Sequence, residues 1–127
     1  MNSVRNYKDL IIWQKSIELV IEVYFLTSKF PKSELYGLIS QIRRAVVSIP
    51  ANIAEGYGRR STKEYSLACS ISYGSALELE TLLIISKKLK FATSDEFSKS
   101  ENLLLEVLKM LNKTLSTLKM KTLVTKP

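Results

Sequence analysis

An all-α fold, a four-helix bundle, is predicted by three observations. The chain carries only four glycines and three prolines in 127 residues, so breaks are few and elements long. Apolar residues recur at spacings of three and four in long stretches, the period of a helix face. Ser61 with Glu64, and Thr93 with Glu96, stand three residues apart ahead of apolar runs, the pattern of a capping box at a helix start. Four helices with short connections imply an antiparallel, up-down-up-down arrangement. A chain of this size buries roughly two-thirds of its unfolded surface, enough for one unstapled domain. That domain is expected over residues 9–119, between an N-terminal arm (1–8) and a basic C-terminal tail (120–127).

Helix one is predicted from about Asp9, a suitable N-cap, to Ser28. Leu10, Trp13, Ile17, Val20 and Tyr24 recur at spacings of three and four and mark one helical face. Ile11, Ile21, Phe25 and Leu26 widen the apolar girth, as in a helix that is central or shared with another subunit. Phe30-Pro31 ends it, because the residue before proline avoids the helical region. Helix two is expected from near Ser33, with Glu34 in its first turn, to Glu55, with Gly56 as its C′ residue. Pro50 lies inside and removes one backbone bond, so a kink is expected; a break into two helices is the alternative. Helix three runs from Ser61 to about Leu89. Its small-residue middle, ACSISYGSA, suits the close approach of a neighbour, which is the reason offered for Gly74. Helix four starts near Thr93 or Ser94, and Leu104, Val107, Leu111, Leu115 and Leu118 form its stripe. The segment after Lys119 is expected to fray.

At about 100° per residue, helix two sorts into three faces. Ile42, Val46, Ile49 and Ile53 face the core. Gln41, Arg44, Ser48, Asn52 and Glu55 form a polar stripe, and Arg43, Val47, Pro50 and Ala54 a mixed side. The stripe is either solvated or partly buried. If buried, its groups need partners, since an unpaired buried polar group costs on the order of 1–3 kcal/mol. Glu78 and Glu80 on helix three are then the candidates for Arg43 or Arg44. The turn Gly56-Tyr57-Gly58-Arg59-Arg60-Ser61 reads in two ways: a helix end with a solvated arginine pair, or a phosphate site at the next helix start.

Lysine and arginine number 19 against 12 acids, a net charge of +7. A small basic domain is drawn to polyanions. Further basic clusters are Lys87, Lys88 and Lys90, and Lys109, Lys113, Lys119, Lys121 and Lys126. With Arg59, Arg60 and Lys63, residues Lys87, Lys88, Lys109 and Lys113 are the candidate nucleic-acid contacts; RNA or DNA is the partner class. Arg43, Arg44, Asn52, Glu55, Glu78 and Glu80 are the candidate structural network. The chain holds no histidine, which argues against the usual general base, metal ligand and serine–histidine chemistry. Glu78 and Glu80 are two apart and diverge on a helix. The single cysteine, Cys69, permits no internal disulfide. An enzyme, a cofactor and a metal site are therefore not expected. No uninterrupted apolar run of about 18 residues and no signal-like N-terminus is seen, so the expected location is cytoplasmic, without a membrane partner.

The chain resembles the bacterial 23S rRNA intervening-sequence proteins. The resemblance rests on Asp9-Leu10 with Trp13-Gln14-Lys15, Phe30-Pro31 with Glu34, and Tyr36-Gly37-Leu38. It continues in Gln41-Ile42-Arg43-Arg44-Ala45, Ser48-Ile49-Pro50, Asn52-Ile53-Ala54-Glu55-Gly56, Gly58-Arg59, Ser61 and Glu64. Gly74-Ser75, Glu78-Leu79-Glu80-Thr81 and Lys109-Met110-Leu111 complete it. The resemblance implies a left-handed four-helix bundle that assembles as a homopentamer. Genes of this family occur within insertions in large-subunit ribosomal RNA genes. A similar basic bundle is an accessory to the reverse transcriptase of diversity-generating retroelements, which makes ribosomal RNA or such a polymerase an implied partner. The resemblance leaves the biochemical role open; the alternative to nucleic-acid binding is a protein-interaction or scaffold module. One departure is Leu89-Lys90-Phe91-Ala92, where the family often places a glycine after helix three.

Overall fold

Four helices carry the computed structural model: α1 Ile11–Thr27, α2 Leu38–Gly58, α3 Thr62–Lys88 and α4 Ser94–Thr125. It describes residues 6–125, with side chains through residue 121; Lys126 lies outside the described residues. No strand occurs among them.

The two predicted capping boxes form. Ser61 Oγ accepts from the Glu64 amide at 3.3 Å. Thr93 Oγ1 accepts from the Glu96 amide at 3.2 Å, while the Glu96 carboxylate accepts from the Thr93 amide at 2.8 Å. These satisfy donors that a helix start otherwise leaves unpaired.

Other boundaries differ from expectation, each for a local reason. Asp9 is not the cap of α1. It sits in a 3-10 turn, Tyr7–Asp9, capped by Asn6, whose Oδ1 accepts from the Lys8 amide at 2.8 Å. Helix α2 begins at Leu38, later than Ser33. Residues Lys32–Glu34 form a separate 3-10 turn, and the Glu34 carboxylate reaches forward to accept from the Leu38 amide at 3.2 Å. Gly56 is no C′ residue: it is helical and buried. The left-handed positions are instead Arg60 (φ 58°) and Lys90 (φ 62°). At Lys90 the chain closes α3 with the Phe91 amide bonded to Ser86 O at 3.1 Å, a Schellman-type ending that glycine makes without strain. Lysine stands where the resemblance leads one to expect that glycine. Helix α2 runs unbroken through Pro50, so the two-helix alternative is not adopted. Helix α4 continues to Thr125, through the segment expected to fray.

Each helix packs on two neighbours: α1 on α2 and α4, α3 on α2 and α4, with no diagonal contact among the described residues. Lys15 pairs with Glu106, Glu22 with Lys99 and Lys29 with Glu96, so α1 and α4 run in opposite directions. Rising numbers meet falling ones at α2 and α3 as well, where Ser72 Oγ donates to Ile49 O at 2.9 Å and Gly56 abuts Ala68. The core takes the predicted face of α2, with Ile42, Val46, Ile49 and Ile53 fully enclosed. Leu104, Val107, Leu111 and Leu118 of the α4 stripe are buried, with Leu115 half-buried.

The inward face of α1 is turned by about one residue from the stripe Leu10, Trp13, Ile17, Val20 and Tyr24. Ile12, Leu19, Val23 and Leu26 are buried, with Ser16 between them; Tyr24 is exposed and Leu10, Trp13 and Val20 are only half-buried. A helix apolar over most of its girth offers two faces of similar hydrophobicity, and packing selects one. Ser16 tolerates the core because its hydroxyl donates to Ile12 O at 2.7 Å.

Helix α3 is long and apolar enough in one 18-residue window to pass the length and composition test for a membrane span, with 39% of that window buried. This differs from the uninterrupted-run reading, because Ser and Thr between apolar residues dilute a run without making the window polar. Its buried side is Cys69, Ala76, Leu79 and Leu83; Leu67, Ile71, Ile84 and Ile85 lie on the open side.

Candidate nucleic-acid interface

The predicted cations separate into two groups at opposite ends of the bundle. Arg59, Arg60 and Lys63 stand where α2 ends and α3 begins. Lys87 and Lys88 stand where α3 ends, about 39 Å away along a helix rising 1.5 Å per residue. Lys109 and Lys113 lie one turn apart on α4, both exposed. Lys113 shares a groove with Tyr65, one turn into α3; Lys109 lies outside that groove.

Ion pairing distinguishes these residues. Arg59 lies between two carboxylates, 3.8 Å from Glu55 and 3.8 Å from Glu64. Lys87 pairs with Glu101 at 3.0 Å. The α3–α4 end also holds Lys29 with Glu96 at 3.4 Å and Lys99 with Glu22 at 3.5 Å. It is therefore electrically mixed. Arg60, Lys63, Lys88, Lys109 and Lys113 form no ion pair among the described residues. Such exposed pairs are weak and screened by salt, but they cancel field locally.

A groove of about 650 Å³ opens at the α2–α3 turn, lined by Tyr57, Gly58, Arg60, Ser61, Thr62 and Tyr65 on one side and by Asn6, Tyr7, Leu118 and Lys121 on the other. No carboxylate is among its lining residues. The Tyr57 and Tyr65 rings meet edge to face, 5.4 Å apart at 80°. Tyr65 is also beside Cys69, and burial disfavours the charged form of both: the thiol pKa is pushed up to about 11, and the phenol's moves in the same direction. Cys69 is fully enclosed, as expected of a small core residue. A second groove of about 410 Å³ adjoins the first through Tyr65 and Leu118 and brings in Lys113 and Thr114.

The expected arginine–carboxylate network does not form among the described residues. Arg43 turns to α1: Nε donates to Thr27 Oγ1 at 2.9 Å and Nη2 to Tyr24 O at 3.3 Å, and the guanidinium lies 4.4 Å from the Tyr24 ring centroid. Arg44 and Glu78 line one shallow groove with Gln41 and Ser48 but form no ion pair. Glu80 makes no ion pair either, and Glu55 is occupied by Arg59. Asn52 donates to Ser48 O at 2.8 Å, within its own helix. The stripe is solvent-exposed at Gln41, Arg44 and Glu55 and half-buried at Ser48 and Asn52. What crosses to α3 is hydroxyl chemistry, Ser48 with Ser75 at 2.5 Å and Ser72 to Ile49 O.

Residues 8–113 match the family described as 23S rRNA-intervening sequence protein. The chain belongs to that family. The match spans α1 to α3 and most of α4, and it includes the α2–α3 turn with Arg59 and Arg60. No curated protein matches the chain. Within this family member, sequence reasoning had missed the tyrosine-lined groove. Tyr57 and Tyr65 are eight residues apart across a turn, and only the reversal of chain direction brings them together. Ser72 and Ser75 carried a signal in the small-residue run of α3, which marks a close helix approach.

Proposed function

We propose that this chain is a non-enzymatic, oligomeric helical-bundle protein that binds RNA or DNA through basic surface, in the cytoplasm and without a membrane partner. The observation that carries the reading is a set of exposed cations free of ion pairs, Arg60 and Lys63 at the α2–α3 turn and Lys113 on α4 in the groove that shares Tyr65 with it, on a chain of net charge +7. Clustered cations on one region of a small domain are an electrostatic footprint for phosphate. Family membership supports ribosomal RNA, or a polymerase–nucleic-acid assembly, as the setting. Assembly is supported by the outer face of α1, where Ile21 and Phe25 are 64% and 60% exposed; the family resemblance supplies the pentamer.

The test is a salt titration of mobility shifts on structured RNA. Binding falls steeply with salt, because neutralised phosphates release counterions. Double reversal, Arg59→Glu with Arg60→Glu, weakens binding and leaves the oligomer mass unchanged. No binding at low ionic strength overturns the reading. The second reading, a protein scaffold without nucleic acid, is favoured by the apolar open side of α3, at Leu67, Ile71 and Ile84. It is supported if the chain captures protein but no RNA or DNA.

A further inference from the structure

We propose that the groove at the α2–α3 turn is a nucleotide site, taking one unit of a single strand with its phosphate on Arg60 and its base against Tyr57. The inference deepens the nucleic-acid reading above and rests on it.

Three features of this groove point the same way. Arg59 is held between Glu55 and Glu64, and neither acid lines the groove. Its neighbour Arg60 lines the groove with no carboxylate pairing it, so a positive charge faces a space free of lining acids. The Tyr57 ring is fixed by its edge-to-face contact with Tyr65, so an incoming base meets an aromatic surface already ordered. The volume, about 650 Å³, lies in the range of roughly 300–1,000 Å³ that small ligands occupy.

The same geometry selects a strand over a duplex. Stacking on an aromatic needs an unstacked base, and every base has the π face for it, so the site is tolerant of sequence. The adjoining groove is mostly apolar, with Leu10, Ile12 and Met110 in its wall, and Lys113 is its one cation, so the strand's next phosphate has a single charged contact there. Arginine serves the phosphate by paired N–H donors in a fixed fork.

The experiment is a fluorescence-anisotropy titration of the full chain with a labelled 12-nucleotide oligo-dT, beside a labelled RNA hairpin duplex. Tyr57→Leu is expected to weaken oligo-dT binding about fivefold or more, Tyr57→Phe to keep it within about twofold, and duplex binding to stay near wild type in both. Arg60→Gln is expected to weaken oligo-dT binding and to lower its salt slope by about 0.7, the share of one phosphate on a single strand. Melting curves by circular dichroism confirm that each variant is folded. Competition separates the sources: displacement by AMP assigns the groove to a free or terminal nucleotide, and displacement only by unlabelled oligomer assigns it to a strand. Displacement by inorganic phosphate as readily as by AMP overturns the role of the base. If wild type binds oligo-dT and neither Tyr57→Leu nor Arg60→Gln changes it, the groove is overturned while the nucleic-acid reading stands. If no nucleic acid binds at all, both fall.

Discussion

Gly56 of α2 lies so close to Ala68 of α3 that a Cβ added to the glycine would overlap the Ala68 methyl. The two helices meet closely there, two residues before α2 ends at the turn with its arginines. Gly56→Ala gains up to about 1 kcal/mol of helix propensity but forces an overlap that costs about 1–3 kcal/mol. The expected net effect is a lower urea midpoint. The exchange Gly56→Ala with Ala68→Gly restores most of it, as a double-mutant cycle will measure.

Gly74 is the contrast. No heavy atom lies within 4 Å of its added Cβ, so the expected close neighbour is absent from this chain. Gly74→Ala is expected to raise bundle stability by about 0.5–1 kcal/mol, read from denaturant unfolding.

Arg43 and Arg44 are adjacent yet unlike. Arg43 ties α2 to α1 through Thr27 Oγ1, Tyr24 O and the Tyr24 ring. Lysine cannot reproduce a forked, stacked contact. Arg43→Lys is expected to cost about 1–2 kcal/mol, and Arg44→Lys to stay within about 0.5 kcal/mol, by thermal unfolding.

Alkaline pH will weaken the fold. Burial raises the pKa of the Cys69 thiol from 9.0 to about 11, and that of Tyr65 moves in the same direction. The unfolded chain loses these protons first, so the stabilisation is complete below about pH 9 and is lost as pH rises toward 11. Cys69→Ala is expected to flatten this slope. At neutral pH the wild-type thiol will react with a thiol reagent only on unfolding.

Assembly can be separated from folding. Ile21→Glu on the outer face of α1 is expected to lower the oligomer mass in light scattering while the helical circular dichroism spectrum persists, since Ile21 makes no part of the buried core.

Arg59 and Arg60 are equal in the sequence and unequal in the fold. Reversal of Arg60 alone is expected to weaken oligonucleotide binding more than reversal of Arg59, whose charge is already met by Glu55 and Glu64. Anisotropy titration of the two single variants decides it.

Local chemistry was legible in the chain alone: the four helices, both capping boxes, the core face of α2 and the stripe of α4. Each depends on spacing within a few residues, which a linear text preserves. The tertiary structure decided what those spacings leave degenerate. It chose between the two apolar faces of α1, sent Arg43 to Thr27 rather than to Glu78 or Glu80, and made Gly56 a contact point rather than a helix end. It also brought Tyr57, Tyr65 and Lys121 around one groove. Those outcomes are set by which atoms of distant segments come within a few ångströms of one another, and periodicity in one helix carries no information about the partner's rotation and register.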